Sequence, residues 1–232
     1  TVKITTKLRK LPSFDTAGEV ETFVRMELEQ SCKRLDSDKI DGYMAHEFRD
    51  ILNARVQEAL FEAQSQGRID KFGASCYDPY EILTARENCT NCNLFQIPAN
   101  ILDRRLYEIV PKMQSLDSQF KQAQVMIRSI FARGIITSTT TLSRNTSHLR
   151  KPIALIHEMA KFYELSLPAF CLNYILSKYP DALVTFGIYE VNQLDFIEEF
   201  LVKEKFTKNI LANIEEEISI SAFDPIDLRT IK

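Results

Sequence analysis

Residues 54–75, ARVQEALFEAQSQGRIDKFGAS, change their hydrophobic period once, and that change decides the fold class. Up to Gln66 the apolar residues Val56, Leu60 and Ala63 fall three and four positions apart, on one helix face. Gly67 stands where a helix C-cap glycine belongs. Ile69–Ser75 (IDKFGAS) then reads as a short apolar strand. The same alternation continues in both directions. Strands are expected at Val2–Lys7, Ile40–His46, Ile69–Ser75, Leu94–Pro98, Val125–Ser129 and Ala182–Gly187. Helices are expected at Glu19–Leu35, Ala54–Gln66, Asp78–Glu87, Asp103–Gln114, Ile153–Tyr163, Pro168–Ser177, Asn192–Val202 and Lys205–Glu215. Asp78 has N-cap chemistry and Pro79 follows in the first turn. Strands alternating with helices of this length predict βαβ units and a parallel sheet. Thr137–His148 (TSTTTLSRNTSH) reads as a long polar loop after the fifth strand. In a parallel α/β fold such a loop lies on the ligand face.

Composition narrows the function classes. The chain has 232 residues, 45% hydrophobic and 26% charged, with 29 basic against 32 acidic residues and a net charge of −3. That is ordinary globular composition, which argues against disorder and coiled coil. No apolar run approaches the ~20 residues of a membrane span. The near-neutral balance argues against a basic nucleic-acid surface. Neither a membrane nor a nucleic acid is therefore an expected partner. Five cysteines, Cys32, Cys76, Cys89, Cys92 and Cys171, are too few and scattered for a disulfide scaffold, so a reducing cytoplasmic location is expected. None of the six glycines is spaced for a GxGxxG or P-loop.

Few side chains stand out chemically. CTNC at 89–92 is a CxxC without a second pair, and it follows a helix rather than opening one. It reads as structural or incidental, and no metal site is expected. His148 and His157 read as surface or packing residues. His46 ends an apolar strand, where it either packs as a satisfied core histidine or polarises a bound carbonyl. Lys7 ends another strand, and a lysine there must be paired or desolvated, which makes it a candidate for pKa tuning.

Five stretches, taken in order, resemble the aldo-keto reductase family: VKITTKL (2–8), ELEQSCKRLDSDKIDGYMAH (27–46), EALFEAQSQGRIDKFGAS (58–75), QIPANILDRRL (96–106) and IRSIFARGI (127–135). The last two resemble one bacterial branch. The resemblance implies a (β/α)8 TIM barrel forming a single domain over 1–232, with about six of its eight βα units present. The first two units, carrying the family's aspartate and tyrosine, are expected upstream of Thr1. It also implies an NAD(P)H-dependent oxidoreductase for small carbonyl or sugar substrates. Lys7 matches the active-site lysine, which lowers the tyrosine's pKa, and His46 the histidine that orients the carbonyl. Ser75 and Gln96 match the contacts to the nicotinamide carboxamide. Arg128 and Ser129 lie where the nicotinamide ring is supported, and Gly187–Gln193 where phosphate and adenosine are met.

The departures from the family pattern define the alternatives. Ser75-Cys76 stands in place of a serine-asparagine pair, and Gly187, Gln193 and Ile197 offer no cation to a 2′-phosphate. The cofactor expected is NADPH or NADH. The alternative function is a non-catalytic, aldo-keto reductase-like interaction protein with a decayed nucleotide site. A barrel enzyme using Lys7 as a Schiff-base nucleophile is a third reading. A barrel lacking two strands would expose sheet edges, which a homo-oligomer would cover.

Overall fold

In the computed structural model, residues 2–107, 109, 123–137, 144–188 and 190–220 are described. Helices and strands alternate from the start: β1 Thr5–Leu8, α1 Ala17–Leu35, β2 Ile40–Ala45, α2 Ala54–Ser65, β3 Ile69–Ser75, α3 Pro79–Asn88, β4 Leu94–Pro98, β5 Gln124–Arg128 and β6 Leu183–Val184. The strand order is β1-β2-β3-β4-β5-β6. The chain forms two compact units, residues 1–97 with 107–126, and residues 98–106 with 127–232.

In the first unit β1, β2, β3 and β4 pair in parallel. Register places Lys7 against Met44, Met44 against Gly73, and Gly73 against Leu94. Because side chains alternate across a strand, these residues form one row on one sheet face. Met44, Leu94 and Met126 meet there as an apolar cluster. On the opposite face Leu8, Tyr43, Phe72 and Phe95 are fully buried. The buried stripe Val20, Val24, Leu28 of α1 and Val56, Leu60, Ala63 of α2 is what a helix presents when it covers a sheet.

Local chemistry sets the ends. α2 stops at Ser65, and Gly67 takes φ +72° immediately before β3. The Asp78 side chain accepts from the Tyr80 N–H, and Glu81 reaches back to the Asp78 N–H at 3.2 Å, which closes a capping box on α3. Thr16 and Glu19 form a second box on α1.

In the second unit the Thr185 N–H donates to the Ile127 carbonyl at 2.8 Å. Among its described residues this unit carries the helices Arg150–Phe162, Leu167–Lys178, Asp195–Val202 and Lys208–Ile220. Asn173 is fully buried and its amide joins them: it donates to the Glu204 carbonyl at 2.9 Å and accepts from the Phe206 N–H at 3.1 Å.

Several expected elements differ in extent. β6 is two residues long, so Gly187 lies beyond it. β5 ends at Arg128, and Ser129 adopts φ +60°, a left-handed conformation that ends the strand. The stretch expected as a structureless loop contains a 3-10 helix at Arg144–Leu149, and residues 138–143 lie outside those described. Of the helix expected at Asp103–Gln114, Asp103 and Arg104 are not helical, residues 105–107 and 109 are, and residues 108 and 110–114 lie outside those described.

The glycines give a graded stability test. A Cβ on Gly73 would overlap the Leu94 carbonyl oxygen. Gly67 is open but left-handed, and Gly18 is open within α1. In thermal unfolding, Gly73→Ala should cost about 2–3 kcal/mol as an overpacking change. Gly67→Ala should cost about 1 kcal/mol through its left-handed backbone, and Gly18→Ala should be neutral or stabilising. Equal losses at all three sites would refute the close approach at Gly73.

Tyr43 supplies a pH test. Burial raises its hydroxyl to about 12, and the hydroxyl has no hydrogen-bond partner among the described residues. The unfolded chain ionises this group near pH 10 while the folded chain does not, so stability falls as pH rises from about 10 towards 12. Tyr43→Phe should flatten that alkaline loss by about 2 kcal/mol in denaturant titrations.

Candidate active site

Parallel strands place their carboxyl ends on one side, and polar residues there are free to meet a ligand rather than to pack. In the first unit three of the four expected residues lie on β1, β3 and β4, and the fourth follows β2. Ser75 ends β3 and is register partner to Gln96 of β4. Lys7 lies one row lower on β1, and its Nζ donates to the Ser75 Oγ at 3.1 Å, between residues 68 positions apart. The lysine stem is long enough to reach the next row, and Gly73 in its own row adds no side chain. Ser75 is 2% exposed and Gln96 7%. His46 follows Ala45 directly, on the β2 face that carries Gly42 and Met44, and is solvent-exposed.

Gln96 carries an unusual amide. Its Nε2 donates to the Met126 sulfur at 3.2 Å, a weak acceptor. Its Oε1 is buried without a hydrogen-bond partner among the described residues. A buried polar atom in that state calls for a missing ligand or water.

The second unit holds the other expected residues. Arg128 Nη1 donates to the Ser129 Oγ at 3.4 Å. Gly187 is exposed with open space where a Cβ would project. Gln193 sits in the 3-10 helix Val191–Leu194, where its Oε1 accepts from the Glu190 N–H at 3.4 Å. Its amide therefore has a capping role.

Two residues that the sequence reading did not single out organise this unit. Asn100 and Asp103 are each 1% exposed. The Asn100 Oδ1 accepts from the Leu102 and Asp103 N–H groups at 2.9 Å, and its Nδ2 donates to the Ser129 carbonyl at 3.2 Å. Asp103 takes two hydrogen bonds from Arg105, both at 2.8 Å. Two polar residues in ANILD, beside otherwise apolar neighbours, were the available signal.

Alternating helices and parallel strands with polar groups at the carboxyl ends define an α/β protein with a ligand face. The chain belongs to the aldo/keto reductase family, whose model matches residues 1–218. At the level of the family it is a carbonyl oxidoreductase, and the family acts on small carbonyl compounds with nicotinamide cofactors. The chain is 23% identical to an aldo-keto reductase from Bacillus halodurans in its holo form, covering 96% of this chain and 72% of that one, with a TM-score of 0.70. It is 17% identical to the glycerol dehydrogenase of Gluconobacter oxydans, covering 97% and 74%, with a TM-score of 0.72. At these identities the likeness shows the fold, the TIM barrel of these reductases. No curated protein matches the chain. No described helix is long and apolar enough to cross a membrane.

Removing the Asp103 carboxylate takes away two hydrogen bonds and an ion pair from the half-buried Arg105 guanidinium. Asp103→Ala should cost about 3 kcal/mol in denaturant unfolding. The double variant Asp103→Ala/Arg105→Leu should recover part of that loss, and a double variant no better than the single would contradict the pairing.

Proposed function

We propose that this chain is an NAD(P)H-dependent reductase of small aldehydes, ketones or sugars, with Lys7 and His46 as its catalytic residues. The observation that carries the proposal is the Lys7–Ser75 contact beside the unpartnered Gln96 oxygen. A carboxamide needs one acceptor for its N–H and one donor for its carbonyl. The Gln96 Oε1 is a free acceptor, and the Ser75 hydroxyl, already accepting from Lys7, keeps its own proton to donate. These two residues fit the carboxamide of a nicotinamide. When bound, that cofactor supplies the hydride.

The chain's own groups do the remaining work. Lys7 holds a positive charge at the carboxyl end of β1, where it lowers the pKa of a neighbouring hydroxyl acid. His46, at the exposed end of β2, is the N–H donor to the substrate oxygen. Arg128, Ser129, Gly187 and Gln193 are proposed as cofactor contacts of the second unit. Residues 182–202 include Glu190, Asp195, Glu198 and Glu199 but no lysine, arginine or histidine. A 2′-phosphate gains nothing from such a segment, so NADH is the better-matched cofactor.

Fluorescence titration of the protein with NADH and NADPH, followed by carbonyl-dependent oxidation, tests the reading. NADH should bind at least as tightly as NADPH. Gln96→Leu should raise the Kd about tenfold, the loss of one hydrogen bond worth about 1.4 kcal/mol. Lys7→Met should lower kcat by about 10²-fold or more, and His46→Gln about tenfold, with little change in cofactor Kd. Failure to bind either nucleotide would favour a non-catalytic interaction protein. A Lys7→Met variant as fast as its parent would remove Lys7 from the chemistry.

A further inference from the structure

The CxxC at the end of α3 takes no part in the proposed reductase site, and its geometry is that of a paired dithiol. Cys89 is the C-cap of α3, with its N–H on the Ala85 carbonyl at 2.8 Å. The Cys92 N–H returns to the Cys89 carbonyl at 3.0 Å, closing a turn over Thr90 and Asn91. A hydrogen-bonded turn keeps its end Cα atoms within ~7 Å, the limit that a disulfide tolerates. The Arg86 Nη1 fastens the far side of the turn, donating to the Cys92 carbonyl at 3.2 Å. All five cysteines are free thiols. The turn thus holds the two Cα atoms within the separation that a bond between the sulfurs tolerates.

We propose that Cys89 and Cys92 form a reversible disulfide by exchange with a low-molecular-weight disulfide, with Cys89 as the attacking thiol. The two thiols differ in a way that supports this order. Hydrogen bonding from Cys92 holds the Cys89 thiol below its ordinary range, and the Arg86 charge adds to the effect. The Cys92 thiol is pushed up by its hydrogen bond to Cys89 and by burial. Both are buried, but Cys89 retains 4% exposure and borders the exposed residues Thr90 and Asn91, whereas Cys92 is at 0%. In the first step the Cys89 thiolate attacks one sulfur of oxidised glutathione and expels a glutathione thiolate. In the second, Cys92 gives up its proton to that thiolate, attacks the Cys89 sulfur of the mixed disulfide and expels the second glutathione. Two protein thiols are oxidised by two electrons, and one glutathione disulfide becomes two thiols. The pair needs no change in the turn, because its hydrogen bond and the disulfide span the same residues.

The test uses the full chain treated with oxidised glutathione, then alkylated and digested with trypsin. Cleavage after Arg86 and Arg104 releases residues 87–104, which contain both cysteines. That peptide should be lighter by two hydrogens, two of the five thiols should escape alkylation, and dithiothreitol should restore both. Cys92→Ser should accumulate a glutathione adduct on Cys89, and Cys89→Ser should carry none on Cys92. Full alkylation of both residues after oxidation would overturn the proposal. So would pairing of either with Cys76, or a stable glutathione adduct on the parent protein. The peptide map of the parent needs no variant, so it decides the question even where a serine substitution prevents folding.

Discussion

The approach of β3 to β4 at Gly73 is the constraint on which the first unit depends. A side chain at that position would overlap the Leu94 carbonyl oxygen. Without one, the ladder closes with Gly73 opposite Leu94, and two residues further along Ser75 falls opposite Gln96. A slip of one residue would turn every side chain to the other face. Tyr43 and Phe72 would then point away from the helices, and Gln96 away from Ser75. The polar pair at the carboxyl end and the apolar cluster of Met44, Leu94 and Met126 below it are two outcomes of one register.

The second unit solves a similar problem with side chains in place of a missing Cβ. Ser129 leaves β5 in a left-handed conformation that a serine adopts at a cost. The Asn100 amide holds its carbonyl, and the same amide's oxygen caps two backbone N–H groups ahead of Arg105. Asn100 is thereby committed at both ends of its side chain, and Asp103 is committed to Arg105. Buried polar residues used this way set backbone positions and leave little for a ligand.

Elements whose causes are local were legible in the sequence. α2, Gly67 and β3 follow from a change of period and a left-handed glycine, and the start of α3 from Asp78 and Pro79. Contacts set by register were not legible. Nothing near Lys7 in sequence points to Ser75, since their meeting depends on two intervening strand pairings. β6 reads as a six-residue apolar run, yet two residues form the strand. Gln193 matched a cofactor contact by position, while its amide oxygen caps the helix turn in which it lies. Lys7 and His46 could be nominated from their strand-end positions and the other site residues from the family resemblance, but their partners could not.

The bond between Gln96 and Met126 has one more consequence. A thioether holds an amide N–H so weakly that rotating the Gln96 side chain by half a turn about its last bond forfeits little. With a carboxylate or a backbone carbonyl in place of Met126, the amide would be locked in one orientation. As it stands, Gln96 can present either its oxygen or its nitrogen to whatever approaches. It is an adaptable reader on β4, set among neighbours whose register leaves them no such freedom.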